Sequence, residues 1–239
     1  GTKFEFLDDL RLGLSTKNII EKIDVDASAS TKQKKQDGNY FDSFIGVDFL
    51  YDKRNQRYQT TSGFFSNYSV NMPILSDTNT LTNTYNYKVF KELYENNVST
   101  LSIFLKGASS LSSDDIKLSE RLYIPGKRLR GFETGKIGPK DGNDFIGGNY
   151  VSSINATTTI PTLLENVQSV DVVLFADAAN IWGVDYDSSL DKNGIRSSVG
   201  IGIDWLTPVG PLTFSFAHPV TKEPTDIEQT FRFNIGTSF

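Results

Sequence analysis

The residues of this chain that could do chemistry are few, and their types exclude most catalytic and metal-binding sites. The 239 residues include one histidine and no cysteine, which excludes disulfides, thiolate zinc sites and cysteine nucleophiles. A Ser-His-Asp triad would have to use His218, which precedes Pro219 where a polar loop begins, as is typical of a turn residue. We therefore expect no catalytic residue, metal ion or cofactor, and we expect that the protein is not an enzyme.

Carboxylates are the other candidates for acid–base or metal chemistry. Asp8–Asp9 and Asp114–Asp115 are adjacent in sequence, and neighbouring strand residues point to opposite faces, so neither pair is suited to shared proton transfer. The segment 185–194 has oxygen ligands of the kind that calcium prefers, but it lacks the ligand spacing and closing Glu of an EF-hand. A polar external loop is the simpler interpretation, and calcium binding stays open.

The charge balance restricts the possible partners. Lys and Arg number 24 against 29 Asp and Glu, a net charge of -5, which argues against a nucleic-acid surface. The basic run 32–35 is either solvated or in contact with anionic lipid head groups. No apolar run approaches the roughly 18 residues of a transmembrane helix. The chain starts at Gly1 without a signal peptide, which indicates a processed or truncated piece.

The elements that must position these side chains are strands, because hydrophobic residues recur with a period of two. In the segment 231–239, aromatic and aliphatic side chains fall on one face and polar ones on the other. Counting such segments predicts about ten strands and no amphipathic helix. The predicted strands are 4–14, 41–52, 58–72, 84–94, 98–108, 148–160, 169–179, 196–206, 211–217 and 229–239.

The predicted connections alternate in length. The short ones are 53–57, 95–97, 162–168 and 207–210, and the long polar ones are 19–40, 73–83, 109–147, 181–195 and 218–228. Transmembrane barrels show this alternation, with short periplasmic turns and long extracellular loops.

The two faces of the predicted strands favour a membrane barrel over a soluble β-sandwich or a lipocalin-like barrel. The polar faces carry charged residues that suit a dry core poorly: Asp48, Asp171, Asp177, Asp204 and Arg232. The opposite faces are apolar over many strands, and a soluble protein would not leave so much apolar surface in water. A closed sheet also satisfies every backbone group in hydrocarbon. We therefore predict an all-β fold, an antiparallel up-and-down transmembrane β-barrel.

Sequence motifs in the longest loop and in later strands resemble a known family. The segment 120–132 reads Glu-Arg-Leu-Tyr-Ile-Pro-Gly-Lys-Arg-Leu-Arg-Gly-Phe, and Ile137-Gly138-Pro139 and Gly147-Gly148-Asn149 follow it. In this order they resemble the BamA-like outer-membrane assembly factors of the bacterial surface antigen superfamily. The resemblance continues through Phe175-Ala176-Asp177, Trp182, 205–212 and the terminal strand.

The resemblance implies that the loop 109–147 folds inward. In that family an Arg-Gly-Phe tip, here Arg130, Gly131 and Phe132, enters the barrel lumen. Gly131 would permit a tight backbone turn and Phe132 would make an apolar contact.

The same resemblance assigns a partner to the arginine of the tip. A guanidinium inside a lumen is best paired with a carboxylate in forked geometry. Asp177 and Phe175 lie two residues apart on the polar side of one predicted strand, so we expect both to meet Arg130. Thr157 falls where some relatives have a Glu, so the sequence does not predict a second carboxylate at Arg130.

The last strand resembles the recognition signal that outer-membrane barrels present to the assembly machinery. In BamA-like proteins it also borders the lateral gate, where a glycine weakens strand pairing and allows a kink. The residues assigned to this signal and gate are Phe231, Phe233, Ile235, Gly236 and Phe239.

The strand count bears on the extent of the barrel. The family barrel has about sixteen strands, so about ten strands imply that residues 1–239 are its C-terminal part, with the periplasmic repeats absent from this chain. A shortened barrel that closes with about ten strands is the alternative, and the sequence leaves both open.

The resemblance implies the barrel region of an insertase that folds and inserts β-barrel proteins into the outer membrane of Gram-negative bacteria. A translocation-and-assembly relative, a two-partner secretion translocator and a passive outer-membrane pore are the alternatives. A barrel protease or lipase is disfavoured by the single histidine. The implied partners are outer-membrane lipids, nascent outer-membrane β-barrel proteins and assembly-complex lipoproteins bound through periplasmic domains outside this chain, and no nucleic acid.

Overall fold

Antiparallel strands dominate the computed structural model, which describes residues 1–57, 59–160, 169–191, 193–208 and 210–236. The strands are β1 (Thr2–Leu7), β2 (Leu10–Ile23), β3 (Gly38–Asp52), β4 (Gly63–Ser76), β5 (Thr80–Tyr94), β6 (Asn97–Ser110), β7 (Gly131–Phe132), β8 (Lys140–Asp141), β9 (Asp144–Phe145), β10 (Tyr150–Thr159), β11 (Val170–Trp182), β12 (Arg196–Thr207), β13 (Gly210–Thr221), β14 (Glu228–Gln229) and β15 (Phe231–Ile235). Helical turns occur at α1 (Thr31–Lys34), Leu118–Glu120, Gly126–Arg128 and Ser188–Leu190. Among the described residues, no helix has the length and apolar character needed to cross a membrane.

Eleven of these strands form one sheet in the order β1-β2-β3-β4-β5-β6-β10-β11-β12-β13-β15. Each strand pairs antiparallel with the strands beside it in this order, and the loop between β6 and β10 carries the short strands β7, β8 and β9 outside the sheet. β1 and β15 stand at the two ends of the sheet. The predicted all-β, antiparallel up-and-down arrangement is confirmed.

Several predicted boundaries differ from those of the structure, because two aspartates form a turn inside an alternating segment and polar residues near 80 pair as a strand. The segment 4–14 is two strands joined by a turn at Asp8–Asp9, where Asp9 has a φ of 65°, so the sheet has eleven strands rather than about ten. The long connection predicted at 73–83 shrinks to 77–79, and β4 begins at Gly63 rather than near 58. The predicted turn 162–168 lies outside the described residues.

The two faces of the sheet differ as the alternation predicts. Aromatic and aliphatic side chains are exposed along one face of most strands. They include Phe4, Leu14, Phe41, Ile45, Phe49, Tyr68, Met72, Leu101, Leu105, Tyr150, Ile154, Leu174, Val199, Ile201, Ile203, Trp205, Phe216, Phe231 and Phe233. The other face carries buried polar residues, among them Ser102, Asn155, Asp177, Ser198 and Arg232. An apolar outer band with a polar inner face is the arrangement of an outer-membrane barrel wall.

The loop between β6 and β10 covers the inner face of the sheet. Its apolar side chains form a cluster with those of β6, β10 and β11. The members are Phe104, Ala108, Ile116, Leu122, Ile124, Leu129, Phe132, Ile137, Val151, Ala179 and Ile181. Burial of these side chains holds the loop against the sheet, since each buried aliphatic or aromatic side chain stabilises by about 1.5–3 kcal/mol.

Candidate functional site

The tip of the long loop is attached to β11 by a forked ion pair. Nε of Arg130 donates to Oδ2 of Asp177 at 2.7 Å, and Nη2 donates to Oδ1 at 2.7 Å. The backbone N–H of Arg130 adds a third bond to Oδ2 at 3.1 Å. The Asp177 side chain is fully buried and that of Arg130 is 15% exposed, so water screens the pair weakly.

Phe175 forms one wall of this ion pair. Phe175 precedes Asp177 by two residues, so both side chains lie on the same side of β11. The guanidinium carbon of Arg130 is 3.4 Å from the centroid of the Phe175 ring. A guanidinium over an aromatic face is attracted by the ring quadrupole. Phe175 is itself buried, which fixes the plane on which the guanidinium rests.

Strands on both sides of β11 contribute contacts that the sequence did not identify. Asn155 on β10 and Ser198 on β12 lie opposite Asp177 in the register of the sheet. Nδ2 of Asn155 donates to Oδ1 of Asp177 at 2.9 Å, and the Ser198 hydroxyl donates to the carbonyl oxygen of Arg130. Thr157 lies opposite Phe175 rather than opposite Asp177. The β10 side chain that contacts the Asp177 carboxylate is therefore the amide of Asn155, two residues before Thr157.

The two tip residues after Arg130 are tightly enclosed. Gly131 has a φ of 92°, and a Cβ there would lie 3.2 Å from Cβ of Ala217 and 3.3 Å from Cβ of Ser198. Glycine is favoured because this backbone conformation is strained for other residues. Phe132 is almost fully buried in the cluster between loop and sheet.

A second arginine attaches the tip to the opposite part of the sheet. Arg128 donates to the Ser102 hydroxyl at 2.6 Å and to Oδ1 of Asn86 at 2.7 Å, and its guanidinium lies 5.0 Å from the Phe104 ring centroid. Its carbonyl oxygen accepts from Nδ2 of Asn155 at 2.8 Å. The tip therefore connects β5 and β6 with β10, β11 and β12. The alternation of polar and apolar residues predicts that Asn86 and Ser102 face inward, but it does not predict that they contact Arg128.

The predicted residues of the last strand do not join this site. Phe231, Phe233 and Ile235 face outward and pair with Phe216, Phe214 and Leu212 of β13. Gly236 follows the strand with a φ of 104°, and its N–H donates to the carbonyl oxygen of Pro211 at 2.9 Å. Phe239 lies outside the described residues.

A separate polar cluster joins the loop to the edge of the sheet where β2 ends, β3 begins and β4 turns into β5. Nζ of Lys117 donates to Oδ2 of Asp42 at 2.7 Å and also pairs with Glu21. Glu120 accepts from the Thr80 hydroxyl at 2.6 Å and from the Thr78 hydroxyl at 3.1 Å. The loop is thereby tied to β2, β3 and the β4–β5 turn.

The carboxylates of the segment 185–194 contact protein donors. Asp185 pairs with Arg121 and accepts the N–H of Ile116 at 2.8 Å. Asp191 accepts the N–H of Gly183 at 3.0 Å, and Asp187 accepts from Ser189. The Asp185 bonds connect this segment to the loop between β6 and β10, whereas the Asp191 and Asp187 bonds lie within the segment itself.

Glu120 predicts a pH dependence of stability. Burial raises the pKa of its carboxyl above the ordinary value near 4.5, although the Thr80 hydroxyl and Lys117 favour the ionised form. The stabilisation from this raised pKa is complete below 4.5 and is lost as the pH rises through the raised value. We expect Glu120→Gln to raise the midpoint temperature of unfolding at pH 8 and to change it less at pH 4, measured on the full-length protein in detergent. Glu95→Gln, at an exposed turn, serves as the control and should leave the midpoint unchanged. A lower midpoint for Glu120→Gln at pH 8 would contradict the assignment.

Gly200 of β12 predicts a packing effect at the ion pair. It lies opposite Phe175 in the register, and an added Cβ would overlap the carbonyl oxygen of Phe216 and lie 2.5 Å from Cζ of Phe175. We expect Gly200→Ala to destabilise by about 1–3 kcal/mol, because the added Cβ would displace both the Phe216 carbonyl group and the Phe175 ring that supports Arg130. Thermal unfolding measures this, with Gly107→Ala as control, since a Cβ at Gly107 meets the edge of Tyr150 at 3.3 Å. Equal midpoints for the two variants would oppose this explanation.

An antiparallel sheet with an apolar outer face, and an inner face covered by a loop that an Arg–Asp pair locks, defines the wall of an outer-membrane β-barrel. Residues 7–239 match the family model of the Omp85 superfamily domain. The chain belongs to the Omp85 superfamily and is integral to the bacterial outer membrane.

Curated relatives carry the names of assembly factors. The outer membrane protein assembly factor BamA of Neisseria meningitidis is 32% identical over 154 residues, covering 52% of this chain and 19% of that protein. BamA of Neorickettsia risticii is 24% identical, covering 99% of this chain and 33% of that protein. The sorting assembly machinery 50 kDa subunit of Saccharomyces cerevisiae is 24% identical, covering 85% of this chain and 44% of that protein. The chain thus spans less than half the length of these relatives.

A solved structure shares the fold. The crystal structure of BamA from Haemophilus ducreyi lacking POTRA domains 1-3 aligns with a TM-score of 0.86 at 22% identity. The alignment covers 97% of this chain and 52% of that one. The strand arrangement described above is therefore that of about half of the chain in that structure.

Proposed function

We propose that this chain is the barrel region of an outer-membrane insertase, which folds β-barrel proteins and inserts them into the membrane. The observation that carries the proposal is the loop tip held on the inner face of the sheet by the Arg130–Asp177 ion pair. The names of the relatives support it, since the bacterial ones denote outer membrane protein assembly and the yeast one denotes a sorting assembly machinery. The same names favour assembly over two-partner secretion.

The proposed work involves no covalent chemistry. The edge strand β15 would offer its unpaired backbone groups to a strand of a nascent barrel protein, which is the mode of β-augmentation. The exposed apolar side chains would contact outer-membrane lipids, and thinning of the adjacent bilayer would lower the cost of insertion. Assembly-complex lipoproteins would bind through periplasmic domains outside residues 1–239.

A passive pore is less well supported by the inner face. The loop cluster and its polar contacts occupy the space beside β6, β10 and β11, where an open channel would need water. A conducting pore would require this loop to leave a water-filled channel, whereas an insertase would not.

Reconstitution tests the proposal. Liposomes carrying the full-length protein should accelerate folding of an eight-stranded outer-membrane barrel over empty liposomes, followed by the mobility shift of unboiled samples on gels. Single-channel recording on the same preparation should show no stable open conductance. Stable conductance without faster folding would replace the insertase with a pore.

A further inference from the structure

The two-residue strand β14, just before the last strand β15, is bonded to the inserted loop rather than to β13. β14 pairs with β7, with Glu228 opposite Phe132 and Gln229 opposite Gly131. The chain joins β13 immediately afterwards, where the carbonyl oxygen of Thr230 accepts the N–H of Ala217 at 2.8 Å. The edge strand β15 and the loop tip are therefore parts of one hydrogen-bonded unit.

Arg232 strengthens this connection from within β15. Its side chain points to the inner face, opposite to Phe231 and Phe233, and it is buried. Nη1 donates to the carbonyl oxygen of Gly126 and Nη2 to that of Phe132. These two carbonyl groups lie at the two ends of the tip segment 126–132, so one guanidinium spans the base of the tip.

The surroundings of Arg232 favour a positioning role. Gln229 Oε1 accepts from Nη2 at 2.9 Å and from Nε at 3.2 Å, so its partners are an amide and backbone carbonyls. A Cβ at Gly126 would overlap Nη1 of Arg232, which shows how closely the tip approaches the guanidinium. Five donors in a rigid fork suit such a bridge, whereas an ammonium group lacks that geometry.

We propose that Arg232 is a positioning residue that couples the edge strand β15 to the loop tip, so that the tip controls how readily β15 separates from β13. Only one consequence of this coupling rests on the proposed function, namely that the edge strand β15 receives a strand of a nascent barrel protein. Loss of the tip contacts would free β15, and attachment of the tip would hold it in register.

Hydrogen exchange on the full-length protein in detergent tests the coupling. In Arg232→Ala we expect exchange at the amides of β15 and β7 to rise by about tenfold or more, because hydrogen bonds to a buried charge are lost. Exchange in β10 and β11 should stay as in the wild type. Arg232→Lys should give an intermediate change, since one ammonium group cannot span both carbonyls in forked geometry.

Asn234→Ala is the matched control, because Asn234 lies on the same strand and side but is exposed. It should leave exchange in β7 unchanged. A uniform rise across all strands in Arg232→Ala would show a general loss of stability and would overturn the coupling, as would no change in β7. The folding assay in liposomes is separate, so an inactive protein with coupled exchange would reject the insertase and keep the inference.

Discussion

An Arg130→Ala variant of the full-length protein is expected to lose most of the proposed assembly activity and to unfold more easily. The change leaves the Asp177 carboxylate fully buried, with the Asn155 amide and one backbone N–H as its remaining donors in the described part of the chain. Breaking a buried ion pair by removing one partner costs about 3–5 kcal/mol. The tip would also lose its contact with the Phe175 ring. Complementation of a depletion strain and the urea midpoint of the purified protein measure the two effects.

Arg54→Ala provides a matched control for this prediction. Arg54 forms a similar fork with Asp52, with both bonds at 2.8 Å and side chains 15% and 13% exposed. That pair joins residues two apart in one turn, so it does not attach the loop to the sheet. We expect Arg54→Ala to complement. Full complementation by Arg130→Ala as well, with an unchanged urea midpoint, would show that the lock is dispensable.

Asp226→Asn is expected to give the largest loss of stability at the outer loops. Nε and Nη2 of Arg196 donate to the two Asp226 oxygens at 2.9 and 3.2 Å, and both side chains are fully buried. The carboxylate also accepts the N–H of Gly138 at 3.2 Å and of Glu223 at 2.7 Å. The substitution leaves a buried guanidinium without its countercharge, which costs roughly 3–5 kcal/mol. The temperature at which unboiled protein loses its compact gel mobility measures it.

An ion pair next to Asp226 provides the control. Lys222 and Glu228 form an ion pair in which both side chains are more than one third exposed, and such pairs contribute little. Glu228→Gln should therefore leave the transition temperature nearly unchanged. If Asp226→Asn matched Glu228→Gln, the Arg196–Asp226 pair would contribute no more than a solvated one.

The contact between Arg130 and Asp177 was predictable from two features of the sequence, the alternation of polar and apolar residues and the Arg-Gly-Phe motif. The period of two determined which side of β11 carries Asp177 and Phe175, since strand side chains alternate strictly. The Arg-Gly-Phe motif then named a partner for Asp177, and the two groups lie in contact in the structure. The division of 4–14 was not predicted, because two adjacent aspartates in an alternating segment resemble a strand as much as a turn.

The sequence by itself determined the antiparallel all-β class, the polar and apolar faces and the loop that carries the tip. The tertiary structure decided the placement of Asn155 and Ser198 beside Asp177, since the offset between neighbouring strands is a property of their pairing and not of either strand alone. It also decided the partners of Arg232, because Gly126 and Phe132 lie about a hundred residues earlier in the chain. Alternation reveals which side a residue faces, and only the packed loop reveals what it meets there.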